Sequence, residues 1–340
     1  MQSFIDIQKR LLPDLLQVLQ KRHTILRYIG YMQPVGRRSL AVSLGLTERI
    51  LRSEVEFLKE QNLINTNNVG MSLTSEGKNL LEDLEGLMRE LKGIDVMELE
   101  LKHRLGIKKV IIVPGDGDES PMVKGELGKA TAICMKKLLG GKNIIAVTGG
   151  STMAAVAERL SPDLTQKELL FVPARGGVGE DVQNQANTIC SNMAHNTDSR
   201  HRVLYVPDQV RSEIYESLIK EPDIHEVLTL IQSASMVLHG IGDAITMAER
   251  RKSNPEIKKK LEEGKAVGEA FGYYFNEEGE IVHKVLTIGL QLEDLEHIPN
   301  VIAVAGGTSK AKAIKSYLKQ APKSTILITD EGAAKRLLKG

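Results

Sequence analysis

Residues 144–155 read IIAVTGGSTMAA and residues 302–313 read IAVAGGTSKAKA. Each is a run of β-branched and small apolar residues, then two glycines, then hydroxyl side chains that open a helical pattern. A strand that ends in Gly-Gly lets the backbone approach a ligand closely. The free amides of the helix that follows, with Ser151 and Thr152 or Thr308 and Ser309, form an anion site. Lys310 adds a cation. Neither stretch is GxxxxGK[ST] or GxGxxG, so neither is a nucleotide P-loop or a dinucleotide fingerprint. A single βα turn with a Ser/Thr cap is ordinary; two with matched chemistry point to a phosphorylated ligand.

Around these turns, short apolar strands alternate with helical stretches. The strand candidates are Val110–Val113, Ile144–Val147, Leu169–Val172, Val203–Val206, Met236–Leu238, Val285–Ile288, Val301–Val304 and Ile326–Ile328, with helices such as Thr152–Leu160 and Lys310–Leu318 between them. This alternation predicts a Rossmann-like parallel α/β sheet covered on both faces. Ligands of such sheets bind outside the carboxyl ends of the strands. Two further strand ends carry charge there: VPARGGVGED places Arg175 beside glycines, and GIGDAITMAERR places Asp243 at a turn and Arg250 further along. A guanidinium beside glycines suits a phosphate clamp.

The first 90 residues read differently. Apolar positions from Leu15 to Ile29 repeat at helical spacing, and Pro34 and Gly36 end that helix. Ser39 is placed to cap a short second helix that Gly45 ends, and Thr47 to cap a third, TERILRSEVEFLKEQN. A hairpin around Asn67, Asn68 and Gly70 follows, then a helix from Ser75 to Leu91. The order is that of a winged helix-turn-helix. From Lys21 to Arg52 seven basic residues face one acidic residue, Glu48, in a chain whose net charge is +1. In such a module the third helix reads base edges, which predicts Thr47, Glu48, Arg49, Arg52 and Ser53 as base-facing. Arg37 and Arg38 would meet phosphates, and Asn67 and Asn68 the minor groove. A solvated basic face is the plainer alternative.

At 340 residues the chain exceeds one hydrophobic core, so two domains are expected, 1–91 and 92–340. The near-balance of 45 Lys+Arg and 44 Asp+Glu excludes a uniformly basic coat or an acidic tail. No apolar stretch reaches membrane length, and MQSFIDIQKRLLPDLLQ has no signal-peptide core. Two isolated cysteines, Cys134 and Cys190, give no metal pair, so no metal or cofactor is expected and a cytoplasmic location is. A helix-turn-helix reads paired half-sites as a dimer or tetramer. The stripe Leu80, Leu81, Leu84, Leu87, Met88 and Leu91 offers such a homo-oligomer a contact, or packs on its own domain.

Residues 92–340 resemble the SorC/DeoR-type sugar-binding transcriptional regulators. The stretches NIIAVTGGSTMAAVAERL, FVPARGGVGEDVQNQANTICSNMA, VLHGIGDAITM, GEAFGYYFNEEGE and VIAVAGGTSKAKAIKSYLKQAPKSTILITDEGAAKRLL carry the resemblance. It implies a fold similar to sugar-phosphate isomerases, used for sensing. In the branch acting on glycolytic genes the implied effector is fructose-1,6-bisphosphate and the implied partner is operator DNA, with the protein a repressor. The resemblance further implies that Gly149, Gly150, Ser151 and Thr152 bind phosphate and that Gly307, Thr308 and Lys310 complete the site. Gln185 lies in the family's polar stretch, and Glu269 stands where relatives have Asp, which suits a sugar hydroxyl. Arg175 replaces a residue commonly apolar or small, and with Arg250 would suit a second phosphate.

The alternative is an isomerase or deaminase on the same fold. Asp243, Glu269 and Asp330 supply carboxylates for it, and His195, His201 and His239 possible bases. No local His/Glu spacing marks a catalytic pair, so no catalytic residue is assigned.

Overall fold

The computed structural model describes residues 10–164, 168–178 and 181–339; the N-terminal stretch 1–9, whose reading bore on localisation, and Gly179 and Glu180 of the VPARGGVGED loop lie outside them. The chain divides into two compact units, one up to Val96 and one from Met97.

The first unit runs α1 (Pro13–Met32), α2 (Arg37–Leu44), α3 (Glu48–Glu60), the hairpin β1 (Ile64–Thr66) and β2 (Met71–Leu73), and α4 (Ser75–Lys92). Gly45 takes the left-handed conformation (φ 62°) between α2 and α3 and closes the turn with backbone bonds to Ala41 and Val42. The Thr47 hydroxyl accepts from the Ile50 amide at 3.4 Å and so starts α3. Ser39 lies inside α2, which begins at Arg37 behind Gly36; its expected role as a cap is wrong. Ile25, Leu26 and Ile29 of α1 meet Leu40, Leu51, Val55, Leu58, Ile64 and Met71 in one core. Each such side chain contributes roughly 1.5–3 kcal/mol by leaving water.

The apolar stripe of α4 is used at home. Leu80 and Leu81 pack on that core, while Leu84, Leu87, Met88 and Leu91 pack with Leu16 and Leu19 of α1.

Helix α5 (Ile94–Leu105) leads into β3 (Lys109–Val113), α6 (Met122–Leu138), β4 (Lys142–Val147), α7 (Ser151–Ala157), β5 (Glu168–Pro173), α8 (Ala186–Asn196) and β6 (Arg200–His201). Next come α9 (Ser212–Leu218), α10 (Pro222–Gln232), β7 (Met236–Gly240), β8 (Gly242–Asp243), α11 (Ala244–Arg250) and α12 (Pro255–Glu263). The chain continues as β9 (Ala266–Ala270), β10 (Tyr273–Asn276), β11 (Ile281–Lys284), β12 (Asn300–Val304), α13 (Ala311–Leu318), β13 (Ile326–Asp330) and α14 (Glu331–Lys339).

Seven strands form one parallel sheet in the order β3-β13-β12-β7-β4-β5-β6. Strands buried on both faces need apolar side chains in both directions; Ile145, Ala146 and Val147 of β4 and Val301 to Val304 of β12 are wholly buried. Two expected strands are misplaced. Residues 203–206 are irregular, with the sheet edge at Arg200–His201. The run from Val285 to Ile288 follows strand β11 instead of forming one. Both runs are only partly buried: Tyr205 and Leu286 are exposed, and Leu204 is held outside the sheet by the Asn187 side chain of α8. β8 to β11 form a separate antiparallel sheet in the order β11-β10-β9-β8.

Chain order along the parallel sheet reverses between β4 and β7: from β4 the chain proceeds to β5 and β6 on one side, and from β7 to β12 and β13 on the other. That gap is the switch point where open α/β sheets bind ligands.

Candidate functional site

At this switch point lies a cavity of about 640 Å³, large enough for a small phosphorylated sugar. Its wall brings together Gly149, Gly150, Ser151 and Thr152 after β4, Arg175 after β5, Arg250 from α11, Glu269 from β9 and Lys310 after β12. Eight of the eleven side chains and glycines expected at an effector site therefore converge.

The first glycine turn is built from two constraints. A Cβ on Gly149 would come within 2.6 Å of the Asn184 carbonyl, so only glycine fits. Gly150 has φ +117°, and its amide donates to that same carbonyl at 2.8 Å. This leaves Ser151 and Thr152 at the start of α7 on the cavity wall, where the first amides of a helix have no intrahelical partner. With only seven residues, α7 brings a small dipole; cations dominate the local field. Lys124 of α6 donates to the Ser151 hydroxyl at 3.3 Å. Lys310 is held below the ordinary lysine range by burial and by the neighbouring charges of Lys124 and Arg250, against the opposite pull of Asp118 and Asp243. Three cations crowded at one end of the cavity make a place that favours a phosphate.

Opposite them, four buried charges interlock. Arg175 pairs with Asp208 and, at 3.5 Å, with Glu269. Arg251 bonds Asp208 at 2.8 Å, Glu269 at 2.9 Å and the Tyr274 hydroxyl at 2.9 Å. Two arginines and two carboxylates cancel in charge, which is what allows burial. The buried Arg175 Nε has no hydrogen-bond partner among the described residues. Glu269 Oε1 also accepts from the Gly272 amide at 2.6 Å, so that oxygen is saturated.

Three expected ligands are displaced. Gln185 turns away: its side-chain amide donates to the Val178 carbonyl at 3.0 Å and packs on Gly177. Gly307 and Thr308 lie outside the cavity because carboxylates already occupy their amides. Gly307 donates to Asp330 at 2.6 Å and Thr308 to Asp116 at 3.1 Å. The second glycine turn is an anion nest filled from within.

The residues offered for acid–base chemistry are committed elsewhere. Asp243 caps α11 through the Thr246 amide and hydroxyl at 2.9 and 2.8 Å. Asp330 sits on the second turn, and burial raises its pKa against the amides of Ala333, Gly117 and Gly307. His239 is fully buried between the Gly240 carbonyl and the Tyr317 hydroxyl, and burial lowers its pKa to about 4. His195 and His201 are exposed, and no histidine lines the cavity among the described residues.

In the first unit, Arg37, Arg38, Thr47, Glu48, Arg49, Arg52 and Ser53 are all exposed. Arg38 pairs with Glu48 at 3.1 Å and Arg52 with Glu56 at 3.6 Å, both loosely and in solvent. The basic excess is smaller than its count, because buried Glu54 on α3 takes Lys21 at 2.5 Å and Arg22 at 2.8 Å. Arg22 also stacks over Phe57 at 3.5 Å. At the hairpin, the Asn67 side chain accepts from the Val69 and Gly70 amides and shapes its own turn, so only Asn68 is left to reach outward.

Sequence reading missed Asp116, Asp118, Lys124, Asp208 and Arg251. Arg251 stands beside the expected Arg250, and Asp116 and Asp118 sit in PGDGDES directly after β3, so both carried a readable signal. Lys124, in the first turn of α6, carried none.

The model of the CggR N-terminal DNA binding domain matches residues 18–88, and that of a sugar-binding domain matches residues 89–339. The chain is 59% identical over 340 residues to the central glycolytic genes regulator of Priestia megaterium, covering 100% of this chain and 99% of that protein. It is 57% identical over 339 residues to the central glycolytic genes regulator of Bacillus subtilis, with 100% and 99% covered. A SorC family transcriptional regulator from Enterococcus faecalis, solved by crystallography, superposes with a TM-score of 0.68 at 49% identity, over 71% of this chain and 99% of that one. The full-length sorbitol operon regulator SorC from Klebsiella pneumoniae shares the fold, with a TM-score of 0.64 at 18% identity over 94% and 98%.

Proposed function

Because the chain belongs to the central glycolytic genes regulators, DNA-binding transcriptional regulators with a SorC-type sugar-binding domain, we propose that it is a repressor whose operator binding is set by fructose-1,6-bisphosphate. The observation that carries this reading is the cavity at the switch point, where the Ser151–Thr152 turn, Lys310, Arg250 and Arg175 share one wall, and the Arg175 Nε has no partner among the described residues. One phosphate sits on Gly149–Thr152 and Lys310. The other sits on Arg250 and Arg175, and Glu269 accepts from a sugar hydroxyl through Oε2, its less committed oxygen.

Arg49 and Arg52 on α3 read operator bases, assisted by Thr47, Glu48 and Ser53, while Arg37 and Arg38 hold phosphates. Paired half-sites call for a homodimer or a tetramer in the cytoplasm. Sensing rather than turnover is supported by the engagement of Asp243, Asp330 and His239 in capping and core bonds.

Calorimetric titration of the full chain with fructose-1,6-bisphosphate and with fructose-6-phosphate tests the reading, alongside a product assay with the same sugars. Tighter binding of the bisphosphate and no product are expected. Steady turnover of either sugar would return the fold to its enzymatic use.

A further inference from the structure

The second glycine turn binds carboxylates instead of a ligand, and the way it does so bears on Lys310. Strand β12 is flanked by β7 on the cavity side and by β13 on the other, with β3 beyond. The loop after β3 reaches across the end of β13 and lays two carboxylates on the turn. Asp116 accepts from the Thr308 amide at 3.1 Å and from its hydroxyl at 2.5 Å. Asp118 accepts from the Ser309 amide at 2.7 Å and hydroxyl at 2.9 Å. Asp330, at the end of β13, accepts from Gly307 at 2.6 Å and from Gly117 at 2.7 Å, which ties the loop to the turn. Lys310 follows directly, its amide donating to the Gly307 carbonyl at 3.0 Å, and Ser309 and Lys310 are the part of this turn that lines the cavity.

We infer that Asp116 and Asp118 are positioning residues for effector binding: seated in the second glycine turn, they fix its backbone and so aim Lys310 into the cavity. A lysine with Lys124 and Arg250 as neighbours is pushed by like charge toward solvent. It stays only if its backbone is anchored and a counter-charge stands near, and Asp118 supplies both. This inference rests on the reading of the cavity as a sugar-phosphate site.

The sign of the effect separates it from the simpler views. A carboxylate that acted only as local negative charge, or as a plug competing with phosphate, would weaken phosphate binding, so its removal would tighten it. A positioning carboxylate does the reverse. Full-length wild type, Asp118→Ala, Lys310→Ala and the double variant are titrated calorimetrically with fructose-1,6-bisphosphate. We expect Asp118→Ala to bind about tenfold more weakly, and the double variant to bind no more weakly than Lys310→Ala alone, because both remove one contact. If Asp118→Ala does not fold, Asp118→Asn, which keeps one acceptor oxygen, is expected to show a smaller loss of the same sign. Unchanged or tighter binding overturns the inference. So does an equal loss in the Lys310→Ala background, which marks general damage to the fold. A wild type that binds no phosphorylated sugar overturns the cavity reading itself, whereas the former outcomes leave that reading standing.

Discussion

After β4, Gly150 has φ +117° and ψ 155°; after β12, Gly307 has φ +103° and ψ 135°. Both follow a glycine, and both precede two hydroxyl side chains. Yet the first turn opens on a cavity of about 640 Å³ beside Lys124, Arg250 and Lys310, and the second is closed by Asp116, Asp118 and Asp330. Equal local chemistry creates an equal appetite for anions. What differs is what the neighbouring strand ends deliver. At the switch point the sheet leaves a gap, and the turn borders the cavity. Two strands away, β13 and β3 end beside the turn and supply the anion from the chain.

The contrast predicts unequal sensitivity. The largest effect is on stability: Asp330→Ala strands the buried amides of Gly307 and Ala333 and releases that of Gly117, and should cost about 3–5 kcal/mol in denaturant unfolding. Ser151→Ala, at the open turn, should stay within about 0.5 kcal/mol. Equal costs would mean that both turns are closed in solution.

Acid should then act from the strand that separates the two turns. His239 on β7 has its pKa lowered from 6.5 to about 4 by burial, so between those values the unfolded chain binds the proton that the native state refuses. Stability should therefore be full above pH 6.5 and fall by up to about 3 kcal/mol as the pH drops to 4. His23 in the first unit, also lowered to about 4 by burial and by Arg27 and Lys92, should behave alike. His239→Asn, judged by unfolding at pH 7 and pH 5, should flatten the part of the slope that belongs to the second unit. Asp116, whose pKa is depressed despite burial by the Thr308 hydroxyl and the Asp118 and Thr308 amides, contributes the reverse-signed case. Its stabilisation persists above the ordinary carboxylate pKa and is lost only as the pH falls below it.

Smaller effects fall on binding. Charge-assisted contacts contribute about 1.5–3 kcal/mol, so Lys310→Ala should weaken fructose-1,6-bisphosphate by roughly 10- to 150-fold. Thr152→Val should lose somewhat less. Arg175→Lys, which keeps the buried charge but not the fork, should reduce bisphosphate affinity and spare fructose-6-phosphate. In the first unit, Arg52→Ala should cost about 1–3 kcal/mol on operator and little on random DNA. Arg37→Ala should weaken both alike and lower the salt slope by about one. Equal losses for Arg52→Ala on the two DNAs would remove α3 from base reading.

How much of this was readable in the sequence depended on distance along the chain. Strand–Gly-Gly–helix order, the Gly45 turn and the Thr47 cap are set by neighbouring residues, and each stands where the sequence placed it. The mistaken elements were apolar runs such as Val203–Val206, where the Asn187 side chain of α8 takes the Leu204 backbone groups that a strand would have paired. Site residues followed the same rule. Those carried on strand ends around the gap converge, but the fate of Thr308 is decided by Asp116, 192 residues away. The basic count overstated the DNA-facing charge for the same reason, since Glu54 claims Lys21 and Arg22 across the first unit. A pairing between distant segments leaves no local pattern to read.

The difference between the two turns is tested most directly by a crystal structure of the full chain with fructose-1,6-bisphosphate bound. One phosphate should lie on Ser151 and Thr152 within reach of Lys310, with Asp116 and Asp118 still on the amides of Thr308 and Ser309. A phosphate seated on the amides of residues 307–309, with those two aspartates displaced, would contradict it.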